Sequence, residues 1–237
     1  MKIRLLETGA DTAFMNMAID EILMASEEPV LRLYKWKPPA VSIGYFQNLD
    51  EEVDREACGR FGVDMIRRQT GGGAVFHENE LTYSFISRKY PQNILESYKW
   101  ICSAIISGLA NLGVKAEFAP LNDIIVGGKK ISGNAQTRRK GVLLQHGTIL
   151  LGVDVDRMFT LLRVPDEKMK GKLISDIKQR VTSLNVSFEE ASNAMKKGFE
   201  EEMDAELIQG TLTNEEKEAS IKLSREKYRS DRWLYRI

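Results

Sequence analysis

Apolar positions along the chain switch between the two-residue period of strands and the longer period of helices. Val30 to Trp36 alternates apolar and polar side chains and predicts a strand. Pro38-Pro39 forces a turn, after which residues 40–44 are expected to form its partner strand. Gly127-Gly128 lies between short apolar runs and predicts a tight hairpin over residues 124–131. Further strands are predicted over residues 3–6, 64–68, 81–87 and 142–151.

Helical spacing of apolar residues marks other segments, and the predicted helices cover residues 11–27, 50–60 and 93–112. Ser187 to Glu190 and Thr213 to Glu216 are capping boxes, each predicting the start of a helix. They lie in a charged C-terminal portion from about residue 187, expected to be helical. Strands and helices do not alternate strictly, which predicts an α+β fold with a mixed or antiparallel sheet and flanking helices. We expect residues 1–237 to form a single domain.

Composition narrows the function classes. The 237 residues carry 34 Lys plus Arg and 34 Asp plus Glu, a balance that argues against general nucleic-acid or membrane-surface binding. The only cysteines, Cys58 and Cys102, lack metal-ligand spacing, which is typical of a reducing compartment. No apolar run approaches the length of a membrane span, and acidic and basic residues interrupt the N-terminus. The predicted location is the cytoplasm.

A glycine-rich loop is the most informative local feature. Gly71 to Gly73 follow Arg68 and precede the strand-like Ala74 to Phe76, with His77 next. Glycine backbone lets a ligand approach closely, loop N–H groups can bind an anion, and the guanidinium suits phosphate or carboxylate. These residues predict a site for a small anionic ligand such as a nucleotide-activated acid. When only the glycines are considered, a flexible loop without a binding function is an equally good interpretation.

A second cluster of polar residues follows between residues 122 and 148. Asn122 and Asp123 precede Lys130, and Gly133 and His146 come later. A lysine in a cleft can stabilise negative charge that develops on an acyl or phosphoryl oxygen. The nearby aspartate could hold Mg²⁺ together with nucleotide phosphates. The alternative is a charged hairpin whose lysines lie in water.

Taken together, the two clusters resemble the lipoate–protein ligase A family. The resemblance lies in five separate segments that occur in consistent order, which are 67–77, 122–124, 128–135, 146–150 and 180–184. Residues 82–84 match as well, and residues 164–168 together with residues 180–184 are similar to the family's adenylate-covering segment.

The resemblance implies the fold of biotin and lipoate protein ligases, which is related to class II tRNA synthetase cores. It implies an ATP- and Mg²⁺-dependent enzyme that converts lipoate to lipoyl-AMP and transfers the lipoyl group to a lysine. The acceptors implied are lipoyl domains of 2-oxoacid dehydrogenase complexes and the glycine-cleavage H protein. ATP-dependent lipoate ligation is the function expected from the sequence.

Site roles follow from the resemblance, with Lys130 as the catalytic residue and Asp123 as the metal ligand. The expected nucleotide- and adenylate-binding residues are Arg68, Gly71, Gly72, Gly73, Ala74, Val75, Phe76, Asn122 and Asp123. The expected lipoate-binding residues are Lys130, His77, Gly133 and His146.

Two departures from the family pattern matter. Larger members carry an additional C-terminal accessory domain, which we expect this chain to lack. We therefore expect a small separate accessory subunit to replace that domain. The segment 77–84 and the segment 134–138 also resemble octanoyltransferases, which use no ATP and pass the acyl group through a cysteine thioester. Their cysteine precedes the segment that matches Asn122, whereas Phe118 to Leu121 contain none here. An octanoyl or lipoyl transferase and a non-catalytic lipoate or adenylate binder remain the alternatives.

Overall fold

The computed structural model of the protein describes residues 1–163 and 170–237. The strands are β1 (Lys2–Asp11), β2 (Val30–Trp36), β3 (Ala40–Ile43), β4 (Asp64–Arg67), β5 (Val75–His77), β6 (Glu80–Ser87), β7 (Ala116–Ala119), β8 (Asp123–Val126), β9 (Lys129–Arg139), β10 (Val142–Leu150) and β11 (Glu206–Gly210). The helices are α1 (Ala13–Leu23), α2 (Leu49–Glu52), α3 (Arg55–Phe61), α4 (Ile94–Ala110), α5 (Val155–Leu161), α6 (Lys170–Arg180), α7 (Phe188–Glu202), α8 (Asn214–Leu223) and α9 (Asp231–Leu234), with a π-helical turn at Ser224–Tyr228.

The larger sheet has eight strands in the order β11-β1-β2-β6-β10-β9-β8-β7. Strands β11, β1 and β2 are mutually parallel, and the pairs from β2 onward are antiparallel. This mixed sheet with flanking helices confirms the predicted α+β class. The predicted hairpin is also present, because β8 and β9 are joined by Gly127 and Gly128, both with positive φ angles.

A separate three-stranded sheet has the order β4-β3-β5. The sequence pattern predicts that residues 40–44 pair with β2, and this prediction is wrong. Strand β3 instead pairs in parallel with β4 and antiparallel with β5. The glycine-rich loop connects β4 to β5, so this small sheet determines where that loop lies.

The core lies on both faces of the large sheet. Helices α4 and α7 cover one face, where Phe85 packs against Phe199 with 5.6 Å between the ring centroids. On the other side α1 contributes Met17 to a cluster with Tyr34 and Ile66, which joins the large sheet to the small one. The apolar stripe of α4 is therefore buried as its periodicity predicts, whereas α1 buries a different face that includes Met17 and Leu23.

Two predicted elements differ from the structure. The single helix predicted over residues 50–60 is divided into α2 and α3. Val53 leaves the helix to bridge to Leu162, and the Asp54 side chain then caps α3 by accepting from the Ala57 N–H. The C-terminal portion is not purely helical, because β11 joins the large sheet beside β1.

The capping boxes at Ser187 and Thr213 are both formed, and each begins a helix as predicted. Among residues 1–163 and 170–237, every helix is too short or too polar to cross a bilayer.

Candidate active site

A cavity of about 480 Å³ lies where the two sheets meet. Strands β2, β6, β9 and β10 contribute to its wall, together with β3, β5, the glycine-rich loop, α5 and α6. Its apolar lining residues include Trp36, Phe76, Leu150, Met158, Phe159, Leu162, Ile177 and Val181. Its polar lining residues include Ser42, Arg68, His77, Glu80, Asn122, Lys130, Asn134, His146 and Thr148.

Most of the predicted site residues meet at this cavity. Those that line it are Arg68, Gly72, Gly73, Ala74, Val75, Phe76, Asn122, Lys130, Gly133, His77 and His146. Gly71 and Asp123 are not among the lining residues, although both contact residues that are. The two sequence clusters are therefore two walls of one cavity.

The Arg68 side chain is buried and organises the glycine-rich loop. Its Nη2 donates to the carbonyl oxygens of Gly71 at 2.8 Å and Gly73 at 2.7 Å, and its Nη1 donates to the Ser42 carbonyl at 3.0 Å. Within the described part of the chain it forms no ion pair with a carboxylate. Burial lowers its pKa to about 10, so it remains charged at neutral pH.

Close approach of two backbone segments fixes the same loop. Gly44 follows β3, and a Cβ placed there would lie 2.0 Å from the Gly72 carbonyl oxygen. Gly72 itself has a φ of +93°, a conformation that side-chain-bearing residues rarely adopt. The loop can therefore pack against β3 only because both positions are glycine.

Lys130 is paired with Asp123 across the β8–β9 hairpin, and its Nζ lies 2.8 Å from Asp123 Oδ1. The Lys130 side chain is 43% exposed, so it is accessible from solvent while lining the cavity. It also lies over Gly133, where a Cβ would come within 2.9 Å of its Nζ. The hairpin thus presents one lysine that is held by Asp123 and that occupies the space left free by the missing side chain of Gly133.

The structure pairs the predicted Mg²⁺ ligand with the lysine, because Asp123 directs Oδ1 to the Lys130 ammonium. Among the described residues, no group of three or more His, Cys, Asp or Glu side chains lies together. Nucleotide-bound Mg²⁺ commonly uses only one or two protein carboxylates, so the role of Asp123 as a metal ligand stays a prediction.

His146 belongs to a buried network that the sequence analysis missed. Its Nε2 lies 2.7 Å from Thr70 Oγ1, and its Nδ1 lies 3.2 Å from Asp20 Oδ2. Arg32 donates to the other oxygen of Asp20 at 2.7 Å. Burial lowers the pKa of His146 although Asp20 opposes the shift. Burial alone would raise the pKa of Asp20, but His146 and Arg32 outweigh it and the net pKa is lowered. Asp20, a carboxylate on the buried face of α1, is the feature of the sequence that could have indicated this network.

Asn134, in β9, is hydrogen-bonded at the cavity both to β6 and to the residue that precedes β8. Its Oδ1 accepts from the Tyr83 hydroxyl at 2.6 Å, and its Nδ2 donates to the Asn122 carbonyl at 2.8 Å. Gln145 in turn donates to the Tyr83 hydroxyl at 2.5 Å. These bonds hold Asn122 at the cavity wall and fix the start of the β8–β9 hairpin.

His77 has a different set of partners from His146. Its Nε2 lies 2.7 Å from Ser42 Oγ and its Nδ1 lies 2.7 Å from Glu80 Oε1. The Trp36 ring stacks on the imidazole with 4.0 Å between centroids. Thr82 donates to Glu80 Oε1 at 2.7 Å. Ser42 and Glu80 were not predicted as site residues, and nothing in the strand pattern around Ser42 marks it.

Neither cysteine lies at the cavity. Cys58 is buried in α3 and Cys102 is buried in α4. Burial raises the pKa of Cys58 to about 11 and that of Cys102 to about 12. Both thiols are therefore protonated at neutral pH and poor nucleophiles. The segment 164–168, predicted to cover an adenylate, lies outside the described residues.

Comparison with known proteins places this geometry in a family. Residues 12–200 match the model of the lipoyl protein ligase A/B catalytic domain. The chain is 39% identical to octanoyltransferase LipM of Kyrpidia tusciae, with 98% of each chain covered. Further octanoyltransferases of the same name, from 33% to 38% identical, also cover 98% of this chain.

Solved structures resemble the chain over its whole length. The archaeal bi-partite lipoate protein ligase of Thermoplasma acidophilum superposes with a TM-score of 0.93 at 32% identity, covering 99% of this chain and 96% of that one. A lipoate-protein ligase A bound with ATP gives a TM-score of 0.87 at 31% identity, covering 99% of both. A structure from T. acidophilum with bound lipoic acid gives 0.85 at 30% identity, covering 99% and 100%.

These comparisons confirm the resemblance and the predicted fold, but they contradict the predicted function. The curated relatives described above extend over the full chain and are named octanoyltransferases, not ATP-dependent lipoate ligases. The ATP-dependent ligase prediction is therefore wrong, and the transferase alternative agrees better with the relatives. What the findings establish is an enzyme family that acts in lipoyl and octanoyl modification of proteins. The chain belongs to the lipoyl protein ligase A/B catalytic-domain family.

Proposed function

We propose that this protein transfers an octanoyl group from a thioester donor to a lysine amine of an acceptor protein, without ATP. The observation that carries the proposal is the cavity, where an extended apolar wall and the Lys130 side chain line the same space. Similarity to octanoyltransferases over 98% of the chain supports the identity of the acyl group.

The apolar wall accounts for binding of the acyl chain. Residues such as Leu150, Phe159 and Ile177 remove methylene groups from water. Burial of one methylene contributes about 0.8 kcal/mol, so the six methylenes of an octanoyl chain contribute about 5 kcal/mol. Such a wall recognises length and apolarity, and it discriminates weakly between octanoyl and lipoyl tails.

Lys130 accounts for the chemistry at the carbonyl carbon. When a nucleophile attacks the acyl carbonyl, a new bond to the carbonyl carbon forms, the carbonyl oxygen becomes negative, and the bond to the leaving group then breaks. The Lys130 ammonium donates hydrogen bonds that stabilise that oxygen, while Asp123 at 2.8 Å restrains the ammonium. In the net reaction the thioester C–S bond is replaced by an amide C–N bond, the thiolate gains one proton and the acceptor amine loses one.

Asn122, Asn134 and the glycine-rich loop complete the polar end of the proposed site. Asn122 and Gly73 line the same cavity as Lys130. Their amide groups and the loop backbone are suited to hold the carbonyl group in one orientation. His146 is assigned a shape and hydrogen-bonding role because Thr70 and Asp20 already engage both ring nitrogens.

A lipoyl domain is the acceptor class we propose. The T. acidophilum ligase with a TM-score of 0.93 was described together with its E2 lipoyl domain. The glycine-cleavage H protein belongs to the same proposed class. A separate accessory subunit stays a prediction, as does a cytoplasmic location.

The test uses the whole purified chain, octanoyl-acyl carrier protein and a lipoyl acceptor domain, with ATP removed by apyrase. Mass spectrometry of the acceptor should reveal one octanoyl group, and fragmentation should place it on the acceptor lysine. The assay is run with and without a candidate accessory subunit. Octanoylation that requires free octanoate and ATP would overturn the proposal.

A further inference from the structure

A hydrogen-bonded row of three side chains lies on a part of the cavity wall formed by β3, β5 and β6, and not by the β8–β9 hairpin that carries Lys130. Ser42 Oγ lies 2.7 Å from His77 Nε2, and His77 Nδ1 lies 2.7 Å from Glu80 Oε1. All three residues line the cavity. A hydroxyl bonded to one imidazole nitrogen, with a carboxylate on the other, is the arrangement that activates a serine nucleophile.

Strand pairing explains why these residues meet. Ser42 in β3 is opposite Val75 in β5, and Ala40 is opposite His77. Side chains two residues apart in a strand point to the same face, so Ser42 and His77 are diagonal neighbours on one face of the small sheet. Glu80 begins β6 just after the turn that follows β5. Trp36 stacks on the imidazole and restricts its rotation.

The direction of every hydrogen bond in the row follows from the chemistry of its ends. Arg68 can only donate, and its Nη1 donates to Ser42 Oγ at 3.1 Å. A carboxylate at Glu80 would accept from His77 Nδ1, which would leave His77 Nε2 to accept from Ser42. In that arrangement the serine hydroxyl donates to the nitrogen that would remove its proton.

The charges around the row favour proton transfer from Ser42 to His77. Glu80 is buried, and among the described residues its one ion-pair partner is His77. Its Oε2 has no hydrogen-bond partner among those residues. An imidazolium at His77 would offset the negative charge of this carboxylate, and the Arg68 guanidinium would stabilise the serine oxygen as it loses its proton.

We propose that Ser42 is a catalytic nucleophile that holds the octanoyl group as an ester between donor and acceptor, with His77 as its base and Glu80 as a positioning residue. The inference rests on the proposed function. It supplies the nucleophile that Cys58 and Cys102 cannot provide, because both are buried away from the cavity.

Two balanced steps follow. Ser42 Oγ attacks the thioester carbonyl while His77 Nε2 takes its proton, an ester C–O bond forms, the C–S bond breaks, and the thiolate leaves with that proton. The acceptor lysine amine then attacks the ester carbonyl, an amide forms, and the ester bond breaks. The proton released by the amine returns to Ser42 Oγ through His77.

The experiment omits the acceptor so that the acyl-enzyme accumulates. The full chain is mixed with octanoyl-acyl carrier protein or, separately, with p-nitrophenyl octanoate, quenched in acid and weighed, and its peptides are sequenced by mass spectrometry. We expect an octanoyl ester on Ser42 and a burst of about one p-nitrophenolate per protein. Ser42→Ala should abolish the adduct, and Glu80→Gln should slow its formation about 100-fold.

Two further variants separate nucleophilic from structural effects. Ser42→Cys should still be acylated, but as a thioester that neutral hydroxylamine removes. Ser220→Ala is the matched control, because Ser220 is a buried serine in α8 whose hydroxyl lacks a partner among the described residues and lies away from the cavity. It should keep the wild-type burst, and thermal unfolding checks that each variant is folded.

The same samples are then given the lipoyl acceptor domain. If wild-type protein and Ser42→Ala octanoylate the acceptor at equal rates and no Ser42 ester forms with either donor, the serine proposal is overturned while the proposed function stands. If the Ser42 ester forms but no acceptor is modified, the assignment of Ser42 as the nucleophile stands and the proposed function fails. Acylation of a residue other than Ser42 would also overturn the serine proposal.

Discussion

At the scale of single residues, chemistry depends on contacts between positions that are distant in sequence. Lys130 could be predicted because a lysine after a Gly-Gly turn in a recognisable motif points to charge stabilisation. The ion pair between Lys130 Nζ and Asp123 Oδ1, at 2.8 Å, could be recognised only from the folded hairpin. Ser42 and Glu80 could not be predicted, because an isolated serine or glutamate in a strand has no local signature. Their relation to His77 comes from strand pairing.

Removal of Lys130 tests the assigned role of this side chain. Lys130→Ala should lower the rate of acceptor octanoylation about 10²- to 10³-fold, the usual cost of deleting one donor to a developing oxyanion. Stability should change by less than about 1 kcal/mol because the side chain is partly exposed. Lys129→Ala, at the exposed neighbouring position, is the control and should retain activity. Near-normal transfer by Lys130→Ala would refute the role.

The buried His146 predicts a pH dependence of stability. Burial lowers its pKa in the folded protein below the ordinary value of 6.5. As pH falls below 6.5, the unfolded chain therefore binds a proton at this position that the folded protein does not, and the folded state loses stability. The contribution has a slope of up to about 1.4 kcal/mol per pH unit. Urea unfolding from pH 7 to 5 should be less pH-dependent in His146→Gln. Equal slopes in both proteins would contradict the assignment.

At the scale of elements, local sequence signals predicted individual strands and helices better than they predicted which strands pair. Strand β2 and the β8–β9 hairpin agree with the sequence pattern, because alternation and a Gly-Gly turn are written into adjacent residues. The division of α2 from α3 depends on a bridge from Val53 to Leu162, more than a hundred residues later. The pairing of β3 with β4 and β5, and the addition of β11, likewise depend on tertiary contacts that short-range periodicity does not encode.

The packing of the glycine-rich loop against β3 gives a prediction about this element. Gly44→Ala would place a Cβ 2.0 Å from the Gly72 carbonyl oxygen, so the loop must move. A displacement of this size at the cavity should lower kcat/KM about 10- to 100-fold. Gly59→Ala is the matched control, because its Cβ would meet nothing within 4 Å and it lies in α3. Unchanged kcat/KM in Gly44→Ala would show that the loop position does not matter.

At the scale of the whole molecule, the cavity is assembled by the junction of two sheets. Phe76 comes from the small sheet, Leu150 from the large one, and Ile177 from α6. The sequence motifs identified the polar wall because each motif is a continuous segment. They did not identify the apolar lining, and they did not distinguish a ligase from a transferase. Similarity to octanoyltransferases over 98% of the chain corrected that prediction.

The central claim is that the acyl group comes from a thioester and not from an acid activated by ATP. One competition measures this directly. The protein and a lipoyl acceptor domain receive unlabelled octanoyl-acyl carrier protein together with deuterated free octanoate, ATP and Mg²⁺, and the acceptor is weighed by mass spectrometry. The account predicts an unlabelled octanoyl group on the acceptor, in the same amount when ATP is omitted. A deuterated octanoyl group that appears only with ATP would contradict it.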